Sequence, residues 1–332
     1  LTPTAERITE DGLIASLREI CAGAAPEKLI VGIGDDAAVW RPSRSNLSVI
    51  STDALVEDVH FTLAVMSARD IGYRALAANL SDLAAMGARP VLATIALGVN
   101  ERSDAAWIRE LYVGMALLAK RTGCALAGGD LTRSPAISIA ITVVGEVRPS
   151  NLKRRDGARP GDVICVTAGL GASHAGLRLL TQRADLAPDS RFAGVVRTFR
   201  TPEPRLREGR WLAASHNVHA LMDSSDGLST DLARLCSASG VGATVDAVPV
   251  DPQARIVAEL LGDAPESYAL DGGEDFVLIA AVAARAFGYL AARFAQRFGA
   301  PLLRVGSITA AAGLRRADGT AIEPAGWDHL AR

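Results

Sequence analysis

Little in this 332-residue chain places it quickly. Its longest apolar run, Val91 to Val99, falls far short of the ~20 residues a membrane-spanning helix needs. No basic-then-apolar segment opens it, so no leader and no membrane role are expected. Lysine occurs only at 28, 120 and 153, the other basic residues being arginine, and the net charge is −2. Bulk electrostatics therefore give no reason to expect nucleic acid or an anionic membrane surface as partner. The four cysteines (Cys21, Cys124, Cys165 and Cys236) are far apart and form no CxxC pair. Neither a zinc site nor a disulfide framework is expected, and they read as small core residues of a reduced, cytoplasmic protein. GxxxxGK[ST], HRD and DFG are missing, which excludes P-loop and protein-kinase machinery. EF-hand spacing, internal repeats and low-complexity tracts are also absent.

What is present is ordinary globular material, 49% hydrophobic and 22% charged, long enough for about two domains. Short Val/Ile-rich runs predict strands at Leu47 to Ser51, Val91 to Leu97, Ile137 to Val147, Val163 to Thr167, near Ala220, Ala243 to Val248 and Phe276 to Val282. Apolar residues at helical spacing predict helices at Ala68 to Met86, Asp104 to Arg121, Ser173 to Arg183, Leu206 to Ser215, Leu228 to Ser237 and Ala283 to Phe298. The fold class is α/β or α+β throughout. A basic stretch with turn formers, Arg148 to Gly161, interrupts two apolar patterns and marks the expected boundary between domains at 1–148 and 149–332.

The acidic residues carry the functional signal. Several sit beside glycine or small residues at the ends of predicted strands: Gly34-Asp35-Asp36, Ser51-Thr52-Asp53, Gly128-Gly129-Asp130, Asp223-Ser224-Ser225-Asp226-Gly227 and Gly272-Gly273-Glu274-Asp275. Asp82 lies in a helix otherwise built of small and apolar residues. Like charges about 4 Å apart repel by roughly 1 kcal/mol even in water, so carboxylates that converge require a cation. A few carboxylates with hydroxyls and room for phosphate suit Mg²⁺ better than a calcium cage. Singly, each motif has a plainer reading. Gly-Asp pairs are turn chemistry, and Asp223 or Asp226 could cap the helix starting near Leu228. Gly169-Leu170-Gly171-Ala172-Ser173-His174 follows a strand and opens a helix, but His174 stands where a dinucleotide turn needs glycine. That turn reads either as a phosphate contact or as a plain connection.

The same motifs, with Gly32 to Ala38, His60-Phe61, Asn79 to Gly87, Ser225 to Leu228 and Gly326-Trp327-Asp328-His329, resemble in order the thiamine-monophosphate kinase family. That family belongs to the aminoimidazole-ribonucleotide-synthetase-like superfamily. The resemblance implies an N-terminal α/β domain whose sheet forms a barrel across a homodimer, and a C-terminal α/β domain that closes over the nucleotide. It further implies that Asp36, Ser51, Thr52, Asp53, Asp82, Asp130, Asp223 and Asp226 hold several Mg²⁺ ions. Gly129, Asp130, Arg154 and Ser225 would touch ATP, and His60, Glu274 and Trp327 would contact thiamine phosphate. A carboxylate and an indole face suit a permanent thiazolium cation. Taken alone, Trp327 reads equally as a chain-end core anchor, His60 as a structural histidine and Arg154, beside Arg155, as a solvated charge. Two residues depart from the family pattern: Leu131, where a hydroxyl is frequent, and Asp271, where a small residue is common.

The implied reaction is transfer of phosphate from ATP to thiamine monophosphate. Its nucleophile is a phosphate oxygen already ionised at neutral pH, so neither general base nor covalent nucleophile is expected. Two alternatives remain open. One is a sister ATP-dependent activity, such as ribonucleotide cyclo-ligation or selenophosphate synthesis. The other is a non-catalytic nucleotide-binding module.

Overall fold

The computed structural model describes residues 10–22, 28–33 and 37–327. The chain divides into two units, Leu1–Asn79 with Pro90–Glu146, and Leu80–Arg89 with Val147–Arg332.

The first unit contains α1 (Glu10–Cys21), the short antiparallel pair β1 (Leu29–Val31) and β2 (Val39–Trp40), then β3 (Leu47–Val56), most of α2 (Ala68–Ala85), β4 (Arg89–Val99), α3 (Ala105–Thr122), β5 (Ala125–Arg133) and β6 (Ser138–Val147). Its main sheet has the order β3-β6-β4-β5, with β4 and β5 parallel. Local chemistry sets α3 firmly. Asp104 caps it by accepting from the Trp107 amide at 2.7 Å, and Gly123 ends it in the left-handed region at φ 71°. Helices α2 and α3 touch backbone to backbone, since a Cβ on Gly72 would strike the Leu111 carbonyl and one on Gly114 the Arg69 carbonyl.

The second unit carries a six-stranded sheet of order β12-β9-β11-β7-β10-β8. Its strands are β7 (Val163–Val166), β8 (Val218–Asp223), β9 (Gly242–Val245), β10 (Leu278–Val282), β11 (Leu303–Thr309) and β12 (Gly313–Arg316). All its pairings are antiparallel except β12 with β9. The helices are α4 (Ala172–Gln182), α5 (Ala193–Arg200), α6 (Leu206–Ala213), α7 (Leu228–Ser239), α8 (Pro252–Leu261), α9 (Pro265–Leu270) and α10 (Ala284–Phe298). The core beneath α7 joins Ile164, Val166, Met222, Leu232, Leu235, Ile279 and Ile308. This is the mixed α/β class read from the sequence. No described helix is long and apolar enough to cross a membrane.

Several boundaries differ from the sequence reading. Ser51-Thr52-Asp53 and Gly128-Gly129-Asp130 lie inside β3 and β5, not at strand ends. Strand β10 starts at Leu278 and not at Phe276, because Glu274 and Phe276 adopt left-handed φ values of 66° and 50° that no strand tolerates.

Candidate functional site

In the first unit the candidate residues lie on open strands. Ser51 is half-buried, whereas Thr52 and Asp53 are exposed. Thr52 Oγ1 lies 2.8 Å from Thr142 Oγ1, and the Asp53 amide donates to Asn79 Oδ1 at 3.0 Å. Asn79 is itself buried in α2 and donates to the Ala75 carbonyl at 3.0 Å, so this one side chain registers β3 against that helix. On β5, Gly129 and Asp130 are exposed, and a Cβ on Gly129 would strike the Ile95 carbonyl of β4. Glycine there lets β5 pass close to its neighbour. Leu131 is half-buried. Asp36 lies outside the described residues.

His60 belongs to the tight turn after β3, and its Nδ1 accepts from the Val56 amide at 3.1 Å. An accepting Nδ1 places the ring proton of neutral imidazole on Nε2. Below that turn Glu57 is buried, paired with Arg102 at 2.8 Å, and accepts from Asn100 Nδ2 and the Ile137 amide at 3.1 and 3.2 Å. The structural role of His60 in this turn is therefore visible.

The second unit draws Asp223, Ser225, Asp226, Glu274 and Trp327 into one assembly. Ser81, on the last turns of α2, donates to the buried Asp223 carboxylate at 2.7 Å, one residue from Asp82. Ser224 and Ser225 accept at their carbonyls from Phe276 and Glu274 amides at 3.0 and 2.7 Å. The Asp226 carbonyl accepts from Trp327 at 3.2 Å. Gly227 and Gly273 both lack room for a Cβ, the first against Leu270 and Asp271 and the second against Ser225. The loop 223–227, the turn 271–276 and the segment 325–327 are thus bound together through main chain. Trp327 is 51% exposed, which rules out a core anchor. Arg154 is exposed and ion-paired with Asp156, and Arg155 beside it is exposed too.

Three carboxylates in this unit have separate duties that their motifs did not reveal. Helix α7 is capped by Gly227 with no side-chain bond, so neither Asp223 nor Asp226 is its cap. Instead Asp231, fully buried, reaches back to the Ser224 hydroxyl and the Asp226 amide, both at 3.1 Å. Burial pushes its carboxyl up to about 6, against those hydrogen bonds. Asp226 itself is ion-paired with Arg234, which also reaches Asp231 at 3.2 Å. Asp275 accepts from the Gly171 and Ser173 amides at 2.5 and 2.8 Å. Burial raises it to about 7. The opening turn of α4 is therefore occupied from within the protein, which decides the Gly169 to His174 turn as a connection.

All four thiols are buried, and burial raises each, Cys21 and Cys124 to about 12 and Cys236 to about 11. None is a nucleophile at neutral pH. Among the described residues no three Asp, Glu, His or Cys side chains are gathered into a metal-ligating group. The donors at the candidate positions are nevertheless all oxygen: carboxylates at 53, 82, 130, 223 and 226, hydroxyls at 51 and 52. Within each unit taken by itself, hard oxygen donors without sulfur or imidazole are of the kind that suits Mg²⁺ together with phosphate and water.

Comparison with known proteins gives a consistent picture. Two family descriptions match, AIR synthase related protein, N-terminal domain, over residues 34–147 and its C-terminal domain over residues 159–317. The chain is 38% identical over 275 residues to a thiamine-monophosphate kinase of Synechococcus elongatus, covering 81% of this chain and 80% of that one. The fold resembles a crystal structure of thiamine-monophosphate kinase from Stenotrophomonas maltophilia, with TM-score 0.84, 37% identity and 95% and 98% of the two chains covered. It also resembles a structure described as AaThiL complexed with AMPPCP and TMP, with TM-score 0.77, 28% identity and coverage of 99% and 100%.

Proposed function

This chain belongs to the AIR synthase related family, among its thiamine-monophosphate kinases, and from that membership we infer that it transfers phosphate from ATP to thiamine monophosphate. The products are ADP and thiamine diphosphate. The observation that carries the reading is the main-chain junction of the second unit, in which Ser225 and Asp226 are bonded directly to Glu274 and Trp327. Residues suited to phosphate and residues suited to a thiazolium cation thereby share one scaffold.

In this reading Asp36, Ser51, Thr52, Asp53, Asp82, Asp130, Asp223 and Asp226 hold Mg²⁺, which when bound offsets the charge of the two phosphates brought together. Gly129, Asp130, Arg154 and Ser225 orient ATP. His60, Glu274 and Trp327 hold the acceptor, the indole and carboxylate facing its cation. The attacking oxygen is already ionised, so these residues position and neutralise, and no side chain takes a proton or forms a covalent intermediate. The buried, proton-bound state of every thiol supports direct transfer and disfavours a sister activity that depends on a reactive cysteine at Cys21.

A homodimer is part of the same proposal. Strand β3 lies at an edge of its sheet and exposes Leu47 and Ile50, the latter by 65%, while Ile30, Val39 and Val59 of the same unit are also exposed. A long edge strand with exposed apolar residues calls for a partner. Sedimentation of the wild type and of Ile50→Glu tests it: a dimer converted to monomer supports the proposal, and a monomeric wild type removes it.

The test of function is incubation of purified protein with ATP, Mg²⁺ and thiamine monophosphate, with chromatographic separation of products. Stoichiometric ADP and thiamine diphosphate, lost on chelation, is the expected result. ADP release without thiamine diphosphate would overturn the acceptor assignment, and activity that survives chelation would overturn the metal assignment.

A further inference from the structure

Three consecutive side chains in the first turn of α7 together hold three other segments of the second unit. Ser229 Oγ donates to Asp271 Oδ1 at 3.0 Å and accepts from the Ala325 amide at 3.2 Å. Thr230 Oγ1 accepts from the Gly326 amide at 3.0 Å. Asp231 holds Ser224 and Asp226. Immediately before this turn, the Asp226 carbonyl accepts from the Trp327 amide at 3.2 Å.

Three successive amides, those of Ala325, Gly326 and Trp327, are therefore taken by α7 or the loop that leads into it. The fit is close, since a Cβ on Gly326 would strike the Asp226 carbonyl and crowd Thr230 Oγ1. The Trp327 side chain itself remains largely outside the core. Asp271, the residue that departs from the family pattern, has a specific part in this. A carboxylate can only accept from the Ser229 hydroxyl, so it directs the hydroxyl proton toward itself and leaves the oxygen lone pairs for the Ala325 amide.

We propose that Ser229 and Thr230 are positioning residues for the acceptor substrate, seating segment 325–327 so that the Trp327 indole is presented to the thiazolium cation from the same helix turn that holds the Asp226 loop. The proposal rests on the reading of Trp327 as an acceptor contact. It concerns residues that touch no substrate and act only through the placement of another.

The test uses the full chain carrying Ser229→Ala with Thr230→Val, compared with Trp327→Ala and with Thr230→Ser. Two neutral hydrogen bonds lost from the seat correspond to about a tenfold rise in KM for thiamine monophosphate. KM for ATP and kcat should stay within about twofold, and amide exchange at 325–327 should accelerate by a similar tenfold. Thr230→Ser, which keeps the acceptor oxygen, should behave as wild type, and the double variant placed on Trp327→Ala should raise KM no further. Accelerated exchange with an unchanged KM for thiamine monophosphate would overturn the proposal while leaving the Trp327 assignment standing. An unchanged KM in Trp327→Ala would overturn the assignment itself and the proposal with it. Equal rises in both KM values would assign the turn to general scaffolding and also overturn it.

Discussion

The two units hold the acidic residues of their glycine-flanked motifs in opposite ways. In the first, Asp53 and Asp130 stand exposed on strands, with the backbone beneath them registered by Asn79 and by the close pass of Gly129. In the second, Asp223, Asp231 and Asp275 are buried and already bonded to hydroxyls or amides. The difference teaches that an acidic motif beside glycine has two physical meanings. A carboxylate such as Asp53 or Asp130 faces solvent from its strand, whereas one such as Asp231 or Asp275 is buried and orders the loops that surround it.

Substitutions should separate the two kinds, and the largest effect is expected in the first unit. Asp53→Asn or Asp130→Asn should lower kcat by about 10²–10³-fold, the cost of removing one group that stabilises transferring charge. Their Tm should move by less than about 2 °C, because surface changes rarely exceed 0.5 kcal/mol. Steady-state kinetics beside a thermal melt checks both, and full activity in either variant would collapse the contrast. In the second unit, Asp275→Ala should cost about 1–3 kcal/mol of stability by stranding the Gly171 and Ser173 amides, as read by denaturant unfolding.

A subtler effect is the pH dependence of that site. A carboxyl raised by burial from about 4 to about 7 binds its proton more tightly in the folded chain. Its contribution is therefore full below about pH 4 and is lost as pH rises through 7. Between pH 4.5 and 8 the Tm difference should shift in favour of Asp275→Asn by about 2–4 °C. A shift in favour of the wild type would mean that the two amides outweigh burial. The smallest effect is expected for Arg234→Met. Its ion pairs are part-exposed, so stability should change by under about 1 kcal/mol, while the freed Asp226 should bind Mg²⁺ more tightly in a calorimetric titration.

Elements with local signals were legible in the chain. The period of its apolar residues puts α3 at Asp104 to Arg121, within a residue of Ala105–Thr122 at each end. Helix α8 was equally legible but overlooked: Asp251 accepts from the Gln253 and Ala254 amides, proline follows, and Gly262 closes it. Strand β5 was not legible, because Ala-Leu-Ala-Gly-Gly-Asp has no β-branched residue and depends on pairing with β4, across an irregularity near Ala93 and Thr94. The candidate site divides in the same manner. The sequence pointed to loops, yet the roles of Asp275, Ser229 and Thr230 depend on contacts between segments distant in the chain, such as the 96 positions from Ser229 to Ala325. Glu274 and Phe276 read as ordinary strand approach until their left-handed backbone is seen.

The four buried thiols have a further use. Cys21 and Cys124 belong to the first unit, Cys165 and Cys236 to the second, and all are buried. A thiol reagent can reach each only when the surrounding structure opens, so the rate of its modification is a clock for that opening. Peptide mapping of a labelling time course would then read the breathing of each unit separately, with no residue changed.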